Sequence, residues 1–322
     1  MSEPWNLPER EATPEKVALS RRRWLKGTAI GALAVGAGLA GWWHWFRPGS
    51  DREVLGGGQA ELPGKGLYPA ARDGRFAEVD RPLTNEAEAA RYTNFYEFSW
   101  SKDVWRSIGP FQPLPWKVEV AGMVANPRTY DIDDLVRAFP LEERVYRHRC
   151  VEAWAMAVPW TGFPLADLLK SAEPLPAAKY VRFVSFDNPR QASGQNNRSQ
   201  PWPYTEGLTL AEATNELAFI ATGMYGHPLL KQHGAPVRLV VPWKYGFKSA
   251  KSIVRIELTR SQPATFWNTL VPHEYGFEAN VDPDVPHPRW SQRTEKMLGT
   301  GERRPTLKHN GYGEWVGQLY RA

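Results

Sequence analysis

The stretch RCVEAWAMAVPWTGFPLADLL, residues 149–169, contains the only cysteine of this 322-residue chain, Cys150. A strand-like run precedes the cysteine, and arginines stand at positions 147 and 149. Neighbouring cations lower the pKa of a thiol and favour the thiolate. Because the thiolate is the form that binds metals and attacks electrophiles, this setting points to a chemical role for the thiol.

Three roles remain open for the thiol on the residues alone. Cys150 could be a buried small hydrophobe, a metal ligand, or a nucleophile assisted by His148, His227 or His233. A disulfide within the chain is excluded because there is no second cysteine, and a zinc site is disfavoured because CxxC and HExxH are absent. A metal bound here would therefore take most of its ligands from its own cofactor.

The N-terminal region predicts export. The segment SRRRWLKG, 20–27, precedes the apolar run TAIGALAVGAGLAGWWHWF, 28–46. A charged segment before an apolar one is typical of a signal sequence, and Arg21 and Arg22 resemble the twin-arginine signal that export machinery reads. The alternative is a transmembrane helix of about 20 residues, but the many Gly and Ala residues favour export. We therefore expect a periplasmic protein that was exported folded, with any cofactor already inserted.

The composition limits the fold and the function class. We assign 1–46 to the export signal, 47–75 to a Gly- and Pro-rich linker, and 76–322 to one catalytic domain. The chain has 28 prolines, 27 glycines and 15 tryptophans, which indicates many turns and an α+β, loop-rich fold. The net charge of +5 is small for this length and is not concentrated on one element, so nucleic-acid binding is excluded.

Hydrophobic periodicity predicts more strands than helices in the second half of the chain. Alternating or β-branched residues predict strands at 116–124, 180–186, 237–243 and 252–259. Apolar residues at helical spacing predict helices at 132–139, 164–172 and 209–217. Short helices beside such strands favour mixed sheets. A Rossmann fold is excluded because no glycine-rich phosphate loop follows a strand.

Four motifs carry a family resemblance. In chain order they are TNFYEF (93–98), RCVEAWAMAVPWTGFPLADLL (149–169), HGAPVRLVVPWKYGFKSAKSI (233–253) and HPRWSQ (287–292). With these motifs, from about Tyr68 to Ala322, the chain resembles the molybdenum-dependent family of the sulfite oxidase fold. Within that family it is most similar to the bacterial periplasmic protein-methionine-sulfoxide reductases.

The resemblance implies a molybdenum–molybdopterin cofactor with Cys150 as the catalytic residue and the one protein ligand of the metal. A soft thiolate suits a sulfur-rich metal centre. The other implied cofactor contacts are Thr93, Asn94, Tyr96, Glu97, Ser185, His233, Arg238, Ser249, Ala250 and Lys251. Arg238 and 249–251 would hold the phosphate end, because guanidinium groups and the backbone N–H groups of GFKSAK (246–251) are phosphate donors.

Some positions depart from the family or have a structural alternative. Thr93 and His233 stand where the family commonly has asparagine, and each can still offer one donor. Arg147 and Arg149 could be paired with Glu152 or other acids. Tyr96 and Trp154 could be core aromatics.

The function implied by the resemblance is the reduction of methionine sulfoxide, free or in oxidised periplasmic proteins. The alternatives are a sulfite-oxidising enzyme of the same fold, a sulfite-oxidase-like enzyme acting on another S- or N-oxide, and an exported, non-catalytic binding module. Oxidation of sulfite, which is a dianion, would want a ring of arginines at the metal. The chain has no CxxCH haem motif and no flavin motif. Electrons must therefore come from another protein, which in this family is a membrane-embedded haem b subunit that draws on quinones.

Overall fold

A computed structural model describes residues 49–58, 62 and 64–321. The predicted export signal at 1–46 lies outside the described residues. Ser50–Ala322 forms one compact unit, so most of the stretch predicted as a linker belongs to that unit. Of the helices in the described part, none is long and apolar enough to span a membrane.

The α-helices of the described chain are short. They are α1 (Asp51–Gly56), α2 (Glu86–Arg91), α3 (Ile132–Ala138), α4 (Leu165–Ala172), α5 (Leu210–Ala213), α6 (Phe266–Leu270) and α7 (Gly313–Val316). Single 3₁₀ turns occur at Lys65–Leu67, Gly74–Phe76, Val104–Arg106, Ser193–Asn196, Lys231–His233, Gly246–Lys248, Lys308–Gly311 and Gly317–Tyr320.

Two of the three predicted helices are confirmed, and the third is shorter than expected. α3 and α4 match the predictions at 132–139 and 164–172. The prediction of a helix over 209–217 is wrong beyond Ala213. The Asn215 side chain there accepts the N–H of Leu217 at 3.0 Å, and asparagine side chains compete in this way with helical hydrogen bonds.

The strands form two mixed sheets. They are β1 (Lys117–Gly122), β2 (Arg128–Asp131), β3 (Glu142–Arg149), β4 (Trp154–Pro164), β5 (Tyr180–Ser185), β6 (Thr205–Thr209), β7 (Phe219–Met224), β8 (His227–Pro228), β9 (Arg238–Val240), β10 (Ile253–Thr259), β11 (Thr294–Met297) and β12 (Arg303–Pro305). The first sheet has the order β2-β1-β10-β5-β6, with only β1 and β10 parallel. Three of the four predicted strands are confirmed as β1, β5 and β10. The strand predicted over 237–243 is confirmed only over Arg238–Val240 (β9), because the chain turns at Pro242 and Trp243.

The second sheet is built around β4. It has the order β12-β11-β4-β7-β8, with β3 paired to β4 and β9 paired to β7. Nearly every residue of β4 is buried. At Gly162 the β7 backbone comes so close that a Cβ would lie 1.9 Å from the Ile220 carbonyl oxygen, so only glycine fits there. The β3–β4 turn carries Cys150.

One hydrophobic core joins the two sheets. Large side chains from both sheets lie in it, including Trp160 and Phe163 of β4 and Phe183 of β5. The helix α4 adds Leu165, Leu168, Leu169 and Ala172, which are buried at helical spacing. The strands next to this core are therefore rigid, and the loops at their ends are held in fixed positions.

Candidate active site

Cys150 lies in a tight turn between β3 and β4. Its N–H donates to the Trp154 carbonyl at 2.9 Å, and its own carbonyl accepts the N–H of Ala153 at 2.9 Å. Ala153 adopts a left-handed backbone with φ of 69°, which is costly for a residue with a Cβ. The turn thus fixes the cysteine at the end of a buried hairpin.

Two N–H groups point at the thiol. The Asn94 side chain donates to Cys150 Sγ at 3.6 Å, and the Glu152 backbone N–H donates to it at 3.5 Å. The Asn94 amide also donates to Glu152 Oε2 at 3.1 Å. Asn94 and the turn therefore hold the sulfur in a defined polar setting, as hydrogen bonds to a metal-binding sulfur do.

The expectation that neighbouring arginines favour the thiolate is wrong for the chain alone. Burial raises the pKa of the Cys150 thiol to about 12, and the Glu152 carboxylate adds to the rise, while Lys102 and Arg149 oppose it less strongly. A buried thiol of this kind keeps its proton until a metal displaces it.

The two arginines are engaged away from the sulfur. Arg149 donates to Gln292 Oε1 at 2.9 Å and to the Cys150 carbonyl, and it forms an ion pair with Glu295 at 3.3 Å. Arg147 pairs with Asp80 at 2.8 Å. Both arginines are thus bound to acids, but neither pairs with Glu152. They fasten the hairpin instead of ionising the thiol.

Glu152 has a different cation as its partner. Its Oε2 accepts from the Lys102 ammonium and from Trp154 Nε1 at 3.3 Å. Burial acts to raise the pKa of this carboxyl, but the Lys102 charge and the bonds from Asn94 and Trp154 keep it below its ordinary value. A carboxylate is therefore held close to the thiol, and the sequence analysis had not assigned it a role.

Most of the predicted site residues meet around one small cavity of about 50 Å³, which is partly open to solvent. We call it the Cys150 cavity. Its lining includes Thr93, Asn94, Tyr96, Glu97, Cys150, His233, Arg238, Ser249 and Lys251. Ser185 and Ala250 were also predicted; both are buried, but neither is among the lining residues of this cavity. Residues from three of the four motifs, which are distant in sequence, thus form one site, while the fourth motif, HPRWSQ at 287–292, contributes no lining residue.

Two backbone N–H groups of the GFKSAK segment are not available as the phosphate donors that were expected of them. The N–H of Ser249 donates to Gly246 O and the N–H of Ala250 donates to Lys248 O, both at 3.1 Å. The Ala250 carbonyl accepts from Leu239. The prediction of a backbone phosphate cradle is wrong for these groups, because the tight 3₁₀ turn uses its N–H groups internally.

One part of the cavity is rich in buried positive charge. Arg238 donates only to carbonyl oxygens, the shortest bond being 2.9 Å to His233 O. Burial lowers the pKa of Arg238 to about 9. Burial and the Arg238 charge lower the pKa of Lys251 to about 7, although Glu97 opposes the shift. Within the described chain, neither cation has a carboxylate at ion-pair distance, and we call these two residues the unpaired cations.

Three of the predicted cofactor contacts have a buried polar atom without a hydrogen-bond partner in the described part of the chain. These atoms are Asn94 Oδ1, Ser185 Oγ and His233 Nε2. Buried polar atoms in native proteins are nearly always satisfied. Burial also lowers the pKa of His233 to about 3, so its ring is neutral and can donate one N–H or accept one bond. These atoms are oriented for a polar ligand.

His148 is a cavity residue that the sequence analysis considered only as a partner for a nucleophile. Its ring packs against Trp154 at 5.6 Å between centroids. It also fills the space beside Gly246, where a Cβ would lie 2.5 Å from His148 Nε2. The Cys150 sulfur contacts Asn94 and Glu152, and no histidine bonds to it in the described residues. A cysteine–histidine dyad is therefore not formed.

An aromatic wall makes up another side of the cavity. Trp267 lies 5.1 Å from Tyr96 and 4.9 Å from Tyr275, and Phe247 lies 5.3 Å from Tyr275, between ring centroids. Trp100 packs on Tyr96 and is half exposed. Trp267 of α6 and Tyr275 in the loop after it were missed because a single aromatic residue outside the recognised motifs carries no signal of its own. The wall suits an apolar side chain.

This donor set fits a cofactor that brings most of its own metal ligands. The described residues contain no cluster of three or more His, Cys, Asp or Glu that could hold a bare metal ion. One thiol, three unsatisfied polar atoms and two unpaired cations match a metal–dithiolene group with a polar ring system and a phosphate. Arg238 is the one arginine on the described lining, which does not match the arginine ring expected for a sulfite dianion.

Comparisons with known proteins place these features in context. Residues 107–267 match the family model described as an oxidoreductase molybdopterin binding domain. The chain is 47% identical over 322 residues to the protein-methionine-sulfoxide reductase catalytic subunit MsrP of Burkholderia mallei, covering 98% of this chain and 94% of that protein. It is 44% identical over 325 residues to the protein of the same name from Ralstonia nicotianae, with the same coverage. The solved sulfane dehydrogenase SoxCD of Paracoccus pantotrophus aligns at a TM-score of 0.43 and 18% identity, over 62% of this chain and 46% of that chain.

Proposed function

The chain belongs to the MsrP family of protein-methionine-sulfoxide reductase catalytic subunits, and we infer that it reduces methionine sulfoxide to methionine. The observation that carries the inference is the placement of a single thiol, unsatisfied polar atoms and unpaired cations around one cavity. Methionine sulfoxide is polar where methionine is apolar, so its reduction restores packing in oxidised proteins.

We propose that the cofactor is molybdenum–molybdopterin. When bound, it supplies a metal centre that takes up the sulfoxide oxygen and passes on two electrons. Cys150 would ligate the metal as a thiolate, after loss of the proton that burial otherwise keeps on it. Arg238 and Lys251 would bind the phosphate, because charge-assisted bonds to phosphate are among the strong hydrogen bonds.

The remaining contacts follow from the unsatisfied atoms. Asn94 Oδ1, Ser185 Oγ and His233 Nε2 would bond to polar atoms of the pterin, which would satisfy groups that are otherwise buried without partners. Thr93, Tyr96, Glu97 and Ser249 line the same cavity. Ala250 has no free polar group, so its part would be to pack beside the cofactor.

The substrate is held by this chain's own side chains. The aromatic wall of Trp267, Tyr275 and Tyr96 offers apolar faces to the methionine side chain, and sulfur packs favourably against aromatic rings. Beside the thiol, the Asn94 amide already donates to Cys150 Sγ and Glu152 Oε2, so it would exchange its bond to Glu152 when it binds a sulfoxide oxygen.

The test of this function is Cys150→Ser. The variant should fold, because a hydroxyl nearly matches a thiol in size, and it should retain pterin through the other contacts. Turnover of methionine sulfoxide with a reduced dye should fall to the level of an enzyme-free control, because an alcohol cannot replace a soft thiolate. In the wild type we expect molybdenum in stoichiometric amount, sulfur-to-metal charge transfer and a Mo(V) paramagnetic signal.

The spectra separate a metal ligand from a nucleophile, since either role would lose activity in this variant. Both spectroscopic features should change in Cys150→Ser. Identical spectra in the two proteins would contradict the ligand assignment, and wild-type protein purified without molybdenum would contradict the cofactor.

We propose further that the protein works in the periplasm after twin-arginine export. The support is the sequence of 20–46, which lies outside the described residues. Replacement of both Arg21 and Arg22 by lysine should leave the protein in the cytoplasm. Normal export of that double variant would show that another signal is read.

The electrons should come from a separate subunit. The relatives are named catalytic subunits, and we propose as the donor a membrane-embedded haem b protein that draws on the quinone pool. Membranes that contain this donor and reduced quinone should support turnover, and membranes without it should not. Oxidised periplasmic proteins are the proposed substrates.

A further inference from the structure

A second depression adjoins the Cys150 cavity. Its volume is about 520 Å³, and part of it is open to solvent. Val151, Phe247 and Tyr275 line both this depression and the Cys150 cavity. We call it the Glu278 groove. Because the two share a wall, a chain whose sulfoxide side chain enters the cavity can continue along the groove.

The walls of the groove combine apolar surface with carboxylates. Phe247 and Tyr275 form the apolar part near the cavity, and Val285 is 62% exposed at the groove. Glu274, Glu278 and Asp282 contribute the carboxylates. Apolar surface with a few polar groups is typical of sites that bind peptide or small-molecule ligands.

The charge balance of the groove is negative. Glu274 is paired with Arg289 at 2.7 Å, and Asp282 is paired with Lys308 at 3.2 Å. The Glu278 side chain is exposed and has no ion pair or hydrogen bond in the described chain. Lys244 interacts electrostatically with the Glu278 carboxylate, but the Lys244 ammonium is already bound to the Glu212 carboxylate and to the Glu278 carbonyl.

We propose that the Glu278 groove binds the polypeptide that flanks the methionine sulfoxide of a protein substrate, with a lysine or arginine side chain of that segment against Glu278. The proposal rests on the proposed function, because the sulfoxide must occupy the Cys150 cavity. The occupant is a basic polypeptide segment because the groove shares wall residues with the cavity, is larger than one side chain needs, and carries an uncompensated negative charge. Free methionine sulfoxide lacks this flank and does not reach the groove.

The experiment compares peptides with the free amino acid. Peptides about seven residues long reach about 10 Å on each side of a central methionine sulfoxide. One series carries lysine and a matched series carries glutamate, at each position flanking the sulfoxide in turn. The measured quantity is kcat/KM for each peptide divided by kcat/KM for free methionine sulfoxide, with a reduced dye as the donor.

In the wild type, the best lysine peptide should exceed its glutamate counterpart by about twofold to fivefold, mainly through KM, as expected for an exposed ion pair. Glu278→Gln should remove this preference, and Glu278→Lys should reverse it. Asp134→Lys makes the same charge change at an exposed position outside both depressions, and should leave the preference as it is in the wild type. The preference should shrink at about 1 M salt, where charges are screened beyond about 3 Å.

The outcomes separate the two proposals. If wild-type protein with its cofactor reduces neither the peptides nor free methionine sulfoxide, the proposed function fails. If it reduces both, but Glu278→Gln and Glu278→Lys keep the wild-type preference, the groove is overturned as the site of the basic flank. Thermal unfolding of the variants shows whether they fold. If Glu278→Lys does not fold, Glu278→Gln still decides the outcome, because glutamine keeps the size of the side chain.

Discussion

Lys248 and Lys251 belong to the same short segment but have different environments. The Lys248 ammonium binds Glu206 Oε2 at 2.7 Å and the Phe277 carbonyl at 2.8 Å, and both side chains of the ion pair are buried. Lys244 is likewise paired with the buried Glu212. Lys251 lines the Cys150 cavity beside Arg238, and in the described chain neither of these has a carboxylate at ion-pair distance.

The difference separates a structural region from a binding region. A buried charge is costly unless it is paired and hydrogen-bonded. Lys248 and Lys244 meet this condition inside the protein, so they need no ligand. The unpaired cations lack a carboxylate partner: Arg238 has carbonyl oxygens as its acceptors, and burial lowers the pKa values of both Arg238 and Lys251. A bound anion would remove the cost, which is why this side of the cavity is assigned to the phosphate.

The largest effect should come from breaking a pair in the structural region. Lys248→Met leaves Glu206 buried without its partner, which costs about 3–5 kcal/mol in the free energy of unfolding. Urea unfolding of the cofactor-free protein measures this loss. The double variant Lys248→Met with Glu206→Leu should recover most of the stability. Equal stability of Lys248→Met and the wild type would remove the distinction between the two regions.

The matched change in the binding region should act on the cofactor and not on folding. Lys251→Met should leave the stability of the cofactor-free protein unchanged or higher, because an unpaired buried cation is removed. It should weaken cofactor retention by about 1.5–3 kcal/mol, the contribution of a hydrogen bond to a charged group. Pterin and molybdenum per protein measure retention.

Arg238→Ala also tests the binding region, but it should affect folding as well as cofactor retention. It should also lower pterin content, but it frees the carbonyls of His233 and Ser249 that the guanidinium now bonds, so its folding must be measured alongside. Normal cofactor content in both this variant and Lys251→Met would place the phosphate elsewhere.

The pH dependence of stability gives a third, smaller contrast. The pKa of Lys251 is about 7 in the folded chain and 10.5 in the unfolded chain. Between these values the unfolded chain binds more protons, so the stability of the cofactor-free protein should rise with pH above about 7. The contribution of Lys251 to the slope of unfolding free energy against pH is at most about 1.4 kcal/mol per pH unit. Denaturant unfolding between about pH 7 and pH 9 measures it.

Two controls identify the residue responsible. Lys251→Met should have a flatter profile than the wild type, while the lowered pKa of Lys244 leaves some rise above about pH 8 in both proteins. Protein loaded with an anionic cofactor should lose the Lys251 component, because the ammonium then stays charged. A steeper rise in the loaded protein would contradict the phosphate assignment.

The same comparison explains how far the sequence could be interpreted. The strands β1, β5 and β10 were predictable because alternation along a strand is local in the sequence. Cys150, Asn94 and Arg238 were predictable as site residues because they lie in motifs that resemble a family. The pairing state of Lys248 and Lys251 was not predictable, since their surroundings come from Glu206 and Glu97, which are distant in the chain.

The arginines that flank Cys150 show that residues adjacent in the sequence can also be wrongly predicted to interact. Arg147 and Arg149 are next to Cys150 in sequence, and proximity predicted a lowered thiol pKa. Their guanidinium groups instead bind Asp80 and Glu295, and burial governs the sulfur. Sequence distance measures electrostatic influence only when the side chains face each other, and that depends on the fold.

The smallest expected effect compares two buried serines. Ser252 Oγ donates to the Ala235 carbonyl at 2.6 Å, whereas Ser185 Oγ has no hydrogen-bond partner in the described chain. Ser252→Ala should cost about 1 kcal/mol of stability with or without cofactor, the usual contribution of a satisfied hydrogen bond. Ser185→Ala should cost nothing in the cofactor-free protein, since no bond is lost, and about 1 kcal/mol in the loaded protein, where the hydroxyl bonds to the pterin. Thermal unfolding of both variants, with and without cofactor, measures the four values. If Ser185→Ala loses the same stability in the cofactor-free and the loaded protein, the Ser185 hydroxyl belongs to the structural region and does not bond to the cofactor.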